Sequence, residues 1–246
     1  MDIPMYREEK KEHQFEQIQE VILKKIIFRT DDAKKLNIDY RRIKGFVEEG
    51  RLRKIKSGYY TDDGLITEDK LIGALFPDGV LTMESALYIY GYLKEKPKVF
   101  KVAIDKNTSK SRFNIEYPWI EPYYTEKDVL NMGRKEIELE GQKIGIYEKE
   151  RLIADILKYQ HKMERQDFRE AIFSYIDDEK KDMSLLMKYA TERNVMKKVH
   201  DIIGVWLEWL EMLNLQKDEI FVRELNLQKD EIFVRDAEFT EGWDFD

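Results

Sequence analysis

The chain holds few side chains of the kinds that build catalytic centres. It has no cysteine and three widely separated histidines, His13, His161 and His200. That excludes a thiolate metal site, a cysteine nucleophile and a disulfide framework, and leaves little for a histidine-based metal centre. No glycine-rich phosphate loop, Gly-x-Ser-x-Gly elbow or His-Glu-x-x-His occurs. Acid-x-Lys pairs, as metal-dependent nucleases use, stand at Asp32-Ala33-Lys34 and Glu68-Asp69-Lys70. Both fall at polar helix starts, and chance produces such pairs in a chain that is 38% charged. Glu84, Asp105, Glu116 and Glu121 lie on or beside central strands without the spacing of a ligand set, and read as rim charge. His161 and His200 sit on polar, Lys-flanked stretches and read as exposed. Glu148, Arg151 and Asp155 are spaced i,i+3 and i,i+4, which on an exposed helix is worth only ~0.2–0.5 kcal/mol per pair. Under a sheet, Arg151 and Asp155 become a structural lock, a reading preferred to a catalytic one. The chain is expected not to be an enzyme and to use no cofactor and no metal.

The concentrated chemistry is positive charge. The net charge of −7 argues against a nucleic-acid partner until it is divided along the chain. Residues 1–61 carry fifteen Lys/Arg against eleven Asp/Glu, and residues 40–60 seven against two, whereas residues 206–246 carry four against twelve. The acidity belongs to the tail and the basic patch to the N-terminal part. Within the patch, Tyr40, Arg41, Arg42 and Lys44 suit a helix entering a DNA major groove, Arg forking onto guanine edges and Lys onto phosphates. Arg53, Lys54, Lys56 and Ser57 suit a hairpin reaching flanking phosphate or the minor groove, and Arg29, Lys34 and Lys35 add candidate phosphate contacts. The competing reading is a solvated helix face beside an ordinary charged hairpin. Helix spacing, a short turn and a basic hairpin agree with one another, which favours DNA.

Three short helices and a hairpin must position these residues. Phe15, Ile18, Val21 and Ile22 recur at helical spacing and predict a first helix to about Lys25, after a charged leader from Arg7 to His13. Thr30 stands at the N-cap of a second helix that Asn37 stops, with Asp31 and Asp32 in its first turn. Asp39 caps a third helix to about Glu49, ended by Gly50. On it Ile43, Phe46 and Val47 mark the core side and Arg41, Lys44 and Gly45 the opposite one, with Arg42 on the flank. Gly45 costs about 1 kcal/mol against Ala in mid-helix, and a close backbone approach would account for it. Arg51 to Tyr60 alternates around Ser57-Gly58 as a hairpin.

The expected fold class is α+β: an N-terminal winged helix-turn-helix over residues 1–61, then a mixed α/β domain with a C-terminal helical set over residues 65–210. Asp62-Asp63-Gly64 reads as the linker. Helices are predicted over 67–76 and 82–90, strands over 99–104 and 119–124, a short helix over 125–132, and a hairpin over 137–146 turning at Glu140-Gly141. Helical stripes follow from Glu148 onward. Residues 211–246 form an acidic tail in which Leu213–Arg223 recurs unchanged as Leu225–Arg235. Two copies cannot stack into a solenoid, so the repeat reads as a recent or artificial duplication; the alternative is that its Ile-Phe-Val cores pair as strands. The run Trp206 to Leu213 reads as a buried final helix rather than a docking face. No apolar stretch reaches the ~20 residues of a membrane span and no signal peptide opens the chain, so a cytoplasmic protein is expected.

Several motifs carry a family resemblance. Phe28-Arg29-Thr30, Asn37-Ile38-Asp39, Glu49-Gly50-Arg51-Leu52 and Lys56-Ser57-Gly58-Tyr59-Tyr60 resemble the winged helix of the AbiEi antitoxins of type IV toxin–antitoxin, or abortive infection, systems. Thr82 to Leu93 is similar to that family's Ser/Thr-Ala-Leu helix, and Tyr147 to Leu157 to its Glu-Arg-x-x-x-Asp helix. The likeness spans about residues 14–207 and rests on the order and spacing of the motifs. It implies a phage-defence role in which the winged helix represses its own operon at an inverted-repeat operator, with two protomers side by side. Tyr40, Arg41, Arg42 and Lys44 take recognition-helix positions, and Arg53, Lys54 and Lys56 wing positions. It further implies that the second domain counters a nucleotidyltransferase toxin, with or without direct contact. The alternatives are a winged-helix transcription factor with a sensor domain, a DNA-binding defence nuclease, and a pure protein-interaction module.

Overall fold

The structure is a computed structural model that describes residues 3–62 and 64–205, with side chains from residue 6. The chain folds as α+β. Among the described residues, those up to Val199 belong to one compact unit and those from His200 to another. The expectations for the duplicated segment, the run from Trp206 and the acidic tail lie outside the described residues.

Helix α1 (Ile3–Lys25) includes the charged leader as well as the expected amphipathic stretch. Two charges in its third turn tie it to the end of the third helix and the residue before the hairpin. Lys11 lies 2.9 Å from Glu49, and Arg51 makes a two-pronged bond to Glu12 at 2.7 Å on each prong. Arg51 also covers the Phe15 ring at 3.7 Å, so its role is internal. Strand β1 (Phe28–Arg29) leads into α2 (Thr30–Lys35). Thr30 is the first helical residue, not the cap. Arg29 occupies the cap, and its N–H donates to the Asp32 carboxylate at 3.1 Å, the acidic third residue reaching back as it does in a capping box. Asn37 takes a left-handed φ of 54° and the Ile38 N–H bonds back to the Ala33 carbonyl, which stops α2 as predicted. Asp39 caps α3 (Tyr40–Glu48) by accepting the Arg41 N–H at 2.7 Å. Strands β2 (Leu52–Lys56) and β3 (Tyr59–Asp62) complete a three-stranded antiparallel sheet in the order β1-β3-β2.

The core under these elements gathers Ile18, Ile22, Phe28, Ile43, Phe46, Leu52 and Ile55, all at most 2% exposed. It does not stop at residue 61. Ile66 and Leu71 belong to it, and Ile115 and Tyr117 pack against it. The segment after β3 is a turn tied to the core, since the Asp62 carboxylate accepts from the Gly64 and Leu65 N–H groups and from the Gln19 amide.

Beyond it come α4 (Glu68–Leu75), β4 (Val80–Leu81), α5 (Met83–Ile89), β5 (Phe100–Asp105), β6 (Ile120–Thr125), α6 (Lys127–Asn131), β7 (Arg134–Leu139) and β8 (Gln142–Tyr147). Helices α7 (Lys149–Lys158), α8 (Arg165–Asp177), α9 (Met183–Glu192) and the one-turn α10 (Met196–Lys198) follow. The second sheet runs β6-β5-β4-β8-β7. Strand β4 pairs antiparallel with β5 and parallel with β8, so a two-residue strand that leaves no periodicity in the sequence sits at the centre. Gly145 on β8 is needed there, because a Cβ would lie 2.6 Å from the Gly79 carbonyl. The β7–β8 turn is Glu140-Gly141 as predicted, both residues left-handed as a tight hairpin requires. Every residue of α7 from Glu150 to Leu157 is buried. Among the described residues no helix is long and apolar enough to cross a membrane.

Candidate nucleic-acid interface

The tight α2–α3 turn sends Ile43 and Phe46 inward, with no exposure at all, and leaves the other face of α3 outside. Tyr40 is 59% exposed, Arg41 and Lys44 are exposed, and Arg42 is half-buried. Lys44 stands 3.6 Å from Glu48 one turn on, both widely open to solvent. A Cβ built on Gly45 meets nothing within 4 Å among the described residues, so none of them requires glycine there.

In the hairpin Leu52 and Ile55 point into the core, and the register shifts between Lys54 and Lys56. Ser57 is exposed at the tip, and the Gly58 carbonyl accepts the Thr30 N–H at 3.1 Å, which fastens the turn to the start of α2. The Lys56 ammonium lies 4.5 Å from the Tyr59 ring centre and the Arg29 guanidinium 5.1 Å from the same ring. One aromatic ring therefore gathers two of the expected phosphate ligands.

Arg53 and Lys54 are engaged otherwise. Lys54 pairs with Glu116 at 2.5 Å, and the Arg53 guanidinium lies 4.1 Å over the Tyr117 ring. The Glu116 N–H bonds the Ile55 carbonyl at 2.6 Å, so the segment bearing Glu116 and Tyr117 runs along the outer side of β2. Tyr60, the cross-strand partner of Lys54, is pushed up to about 12 by burial, with a bond to Tyr40 and the Glu116 charge adding to it. The start of α3, the middle of the hairpin and Glu116 thus meet at one place. Glu116 and Tyr117 were not legible as partners of the hairpin, because Lys54 and Glu116 are 62 residues apart and share no local pattern.

The remaining candidates have structural settings. Lys34 pairs with Asp31 at 3.2 Å, while Asp32 holds Lys25 at 3.0 Å and the Arg29 N–H. Burial raises the Asp32 pKa, and those partners outweigh it to bring the net value below normal. Glu68 and Asp69 both face Lys96, at 3.8 and 2.6 Å. Glu84 and Glu121 share Lys101, at 2.7 and 3.9 Å, and Asp105 accepts from Asn107. Among the described residues no group of three or more acidic or histidine side chains is arranged to hold a metal ion. His161 and His200 are exposed. Arg151 and Asp155 are buried as the lock reading requires. Arg151 donates to Asp155 and to the Val129 and Met132 carbonyls, and Asp155 also accepts from Arg193 at 2.7 Å. No protein-family model matches the chain, and no curated protein is significantly similar to it in sequence.

Proposed function

We propose that the N-terminal elements form a winged helix-turn-helix that binds double-stranded DNA, with α3 as recognition helix and the β2–β3 hairpin as wing, in a cytoplasmic regulator of its own operon. The observation that carries this reading is the outward face of α3. A capped helix presents Tyr40, Arg41 and Lys44 to solvent, with Arg42 on its half-buried flank, beside a hairpin bearing three more cations, Arg53, Lys54 and Lys56. The AbiEi resemblance extends the reading to an antitoxin that, in phage defence, counters a nucleotidyltransferase toxin through the rest of the chain, with two protomers on an inverted-repeat operator.

Fluorescence-anisotropy titration on DNA from upstream of the gene, against scrambled duplex at two salt concentrations, tests it. Binding that weakens with salt and favours the upstream DNA by about a thousandfold is expected. Arg41→Ala should reduce that preference, costing ~1–3 kcal/mol on the upstream DNA and much less on random duplex. No binding to either DNA at low salt would reduce the basic face to a solvated surface.

A further inference from the structure

A cavity of about 280 Å³ opens between β6, the C-terminal part of α7 and the residues that follow α7 and α9. At ~30 Å³ per water it has room for about nine waters. Its wall joins two arginines to one carboxylate. Asp155 takes the Nε–H of Arg151 at 3.1 Å and that of Arg193 at 2.7 Å. Arg151 then spends its Nη1 on two backbone carbonyls, whereas Arg193 gives Nη2 to the Tyr159 hydroxyl at 3.2 Å and keeps Nη1 without a hydrogen bond among the described residues. Arginine stays charged at any ordinary pH, so this buried trio carries an unbalanced positive charge. Lys162 adds a second. Its ammonium lies 5.1 Å from the Tyr123 ring and 5.2 Å from the Tyr159 ring and pairs with no carboxylate among the described residues. Glu121 on the rim is drawn toward Lys101. The Tyr123 hydroxyl is buried and has no hydrogen-bond partner within normal distance among the described residues, though the Glu121 carboxylate acts on it. Burial, with Glu121 and Glu84 adding to it, raises its pKa, so it remains a donor. The Tyr123 and Tyr159 rings meet edge-on, 6.2 Å apart, and offer a planar ligand an aromatic wall.

We infer that this cavity binds a small anion carrying a planar ring, a nucleoside monophosphate or an aromatic carboxylate, with Arg193, Lys162 and Tyr123 donating to the anionic group and the two tyrosine rings together forming one wall against the ring. A phosphate or carboxylate is the acceptor-only group that the unused guanidinium, ammonium and hydroxyl donors require. The site does not rest on the DNA-binding reading.

Isothermal titration calorimetry and thermal-shift measurements on the full chain test it, with adenosine and cytidine monophosphates, benzoate, adenosine and inorganic phosphate as probes. Saturable binding of a monophosphate or of benzoate is expected, with a rise in Tm, at least tenfold tighter than adenosine or phosphate alone; which of the two acids binds assigns the source of the anion. Lys162→Gln alters an exposed side chain, and Tyr123→Phe removes only a hydroxyl with no hydrogen-bond partner within normal distance among the described residues. Both should fold and each should weaken binding about tenfold, the worth of one charge-assisted bond. No binding of either acid at millimolar concentration would overturn the proposal, as would binding unchanged in both variants. Inorganic phosphate binding as tightly as the ring-bearing acids would overturn the role of the tyrosine pair.

Discussion

Lys54 and Lys56 are two residues apart in one basic hairpin, yet the fold gives them different surroundings. Lys56 rests on a tyrosine ring, which leaves its charge available to a phosphate, whereas Lys54 already has an anion in the Glu116 carboxylate. A phosphate that reaches Lys54 must displace Glu116. Glu116→Gln should therefore strengthen binding to upstream and scrambled DNA alike and steepen the salt dependence by about one unit, since one more phosphate is neutralised. Lys54→Ala in that background should return the slope to its original value. Anisotropy titrations over a salt series check both, and an unchanged slope in Glu116→Gln would show that Lys54 stays off the DNA. Arg151 illustrates how far a spacing reaches. Its i,i+4 relation to Asp155 is legible in the sequence, but Arg193, 38 residues beyond Asp155, is what turns the pair into a buried trio.

At the level of elements, the ends of α2 and α3 were legible wherever the capping chemistry is local. Asp39 has its N–H target two residues ahead, and Asn37 and Gly50 adopt the left-handed conformations that their small or polar side chains tolerate. Thr30 misleads because the Asp32 carboxylate, a stronger acceptor than a hydroxyl, serves the same helix start from inside. Ile26 goes the other way, holding a φ of 66° that its branched side chain disfavours; α1 ends there because Ile27 and Phe28 must turn into the core. The glycine in the middle of α3 has no packing reason among the described residues. Gly45→Ala should raise the stability of the free chain by about 1 kcal/mol, read as a higher urea midpoint. If α3 approaches DNA closely at this position, the same change should weaken DNA binding. A gain in stability with affinity unchanged would place Gly45 away from the contact.

For the molecule as a whole, the N-terminal core cannot be cut at the end of the hairpin without loss. Ile66 and Leu71, 4% and 0% exposed, come from the turn after β3 and from α4. Burying two such side chains is worth about 3–6 kcal/mol at ~1.5–3 kcal/mol each, an upper value for a compact unfolded state. A chain ending at residue 76 should therefore melt well above one ending at residue 62, as followed by circular dichroism. Equal melting temperatures would show that residues 1–62 stand alone. The full chain should exceed both, because Ile115 and Tyr117 close the same core from a segment fifty residues further on.

The sequence by itself determined what depends on neighbours a few residues apart. This covers the three N-terminal helices and their turn, the two hairpins with their left-handed corners, the stripes of α7, α8 and α9, and the division of charge between a basic start and an acidic tail. Periodicity, caps and turn residues act over one or two turns of chain, so they can be read in order. Only the tertiary structure decided that Val80-Leu81 is the central strand of five, that Glu116 and Tyr117 hold the basic hairpin, and that Arg193 joins Arg151 on one carboxylate beside an open cavity. Each of these depends on chain closing over a distance, where an ion pair or a strand pairing is selected by the shape of the surrounding core and leaves no mark in the order of residues.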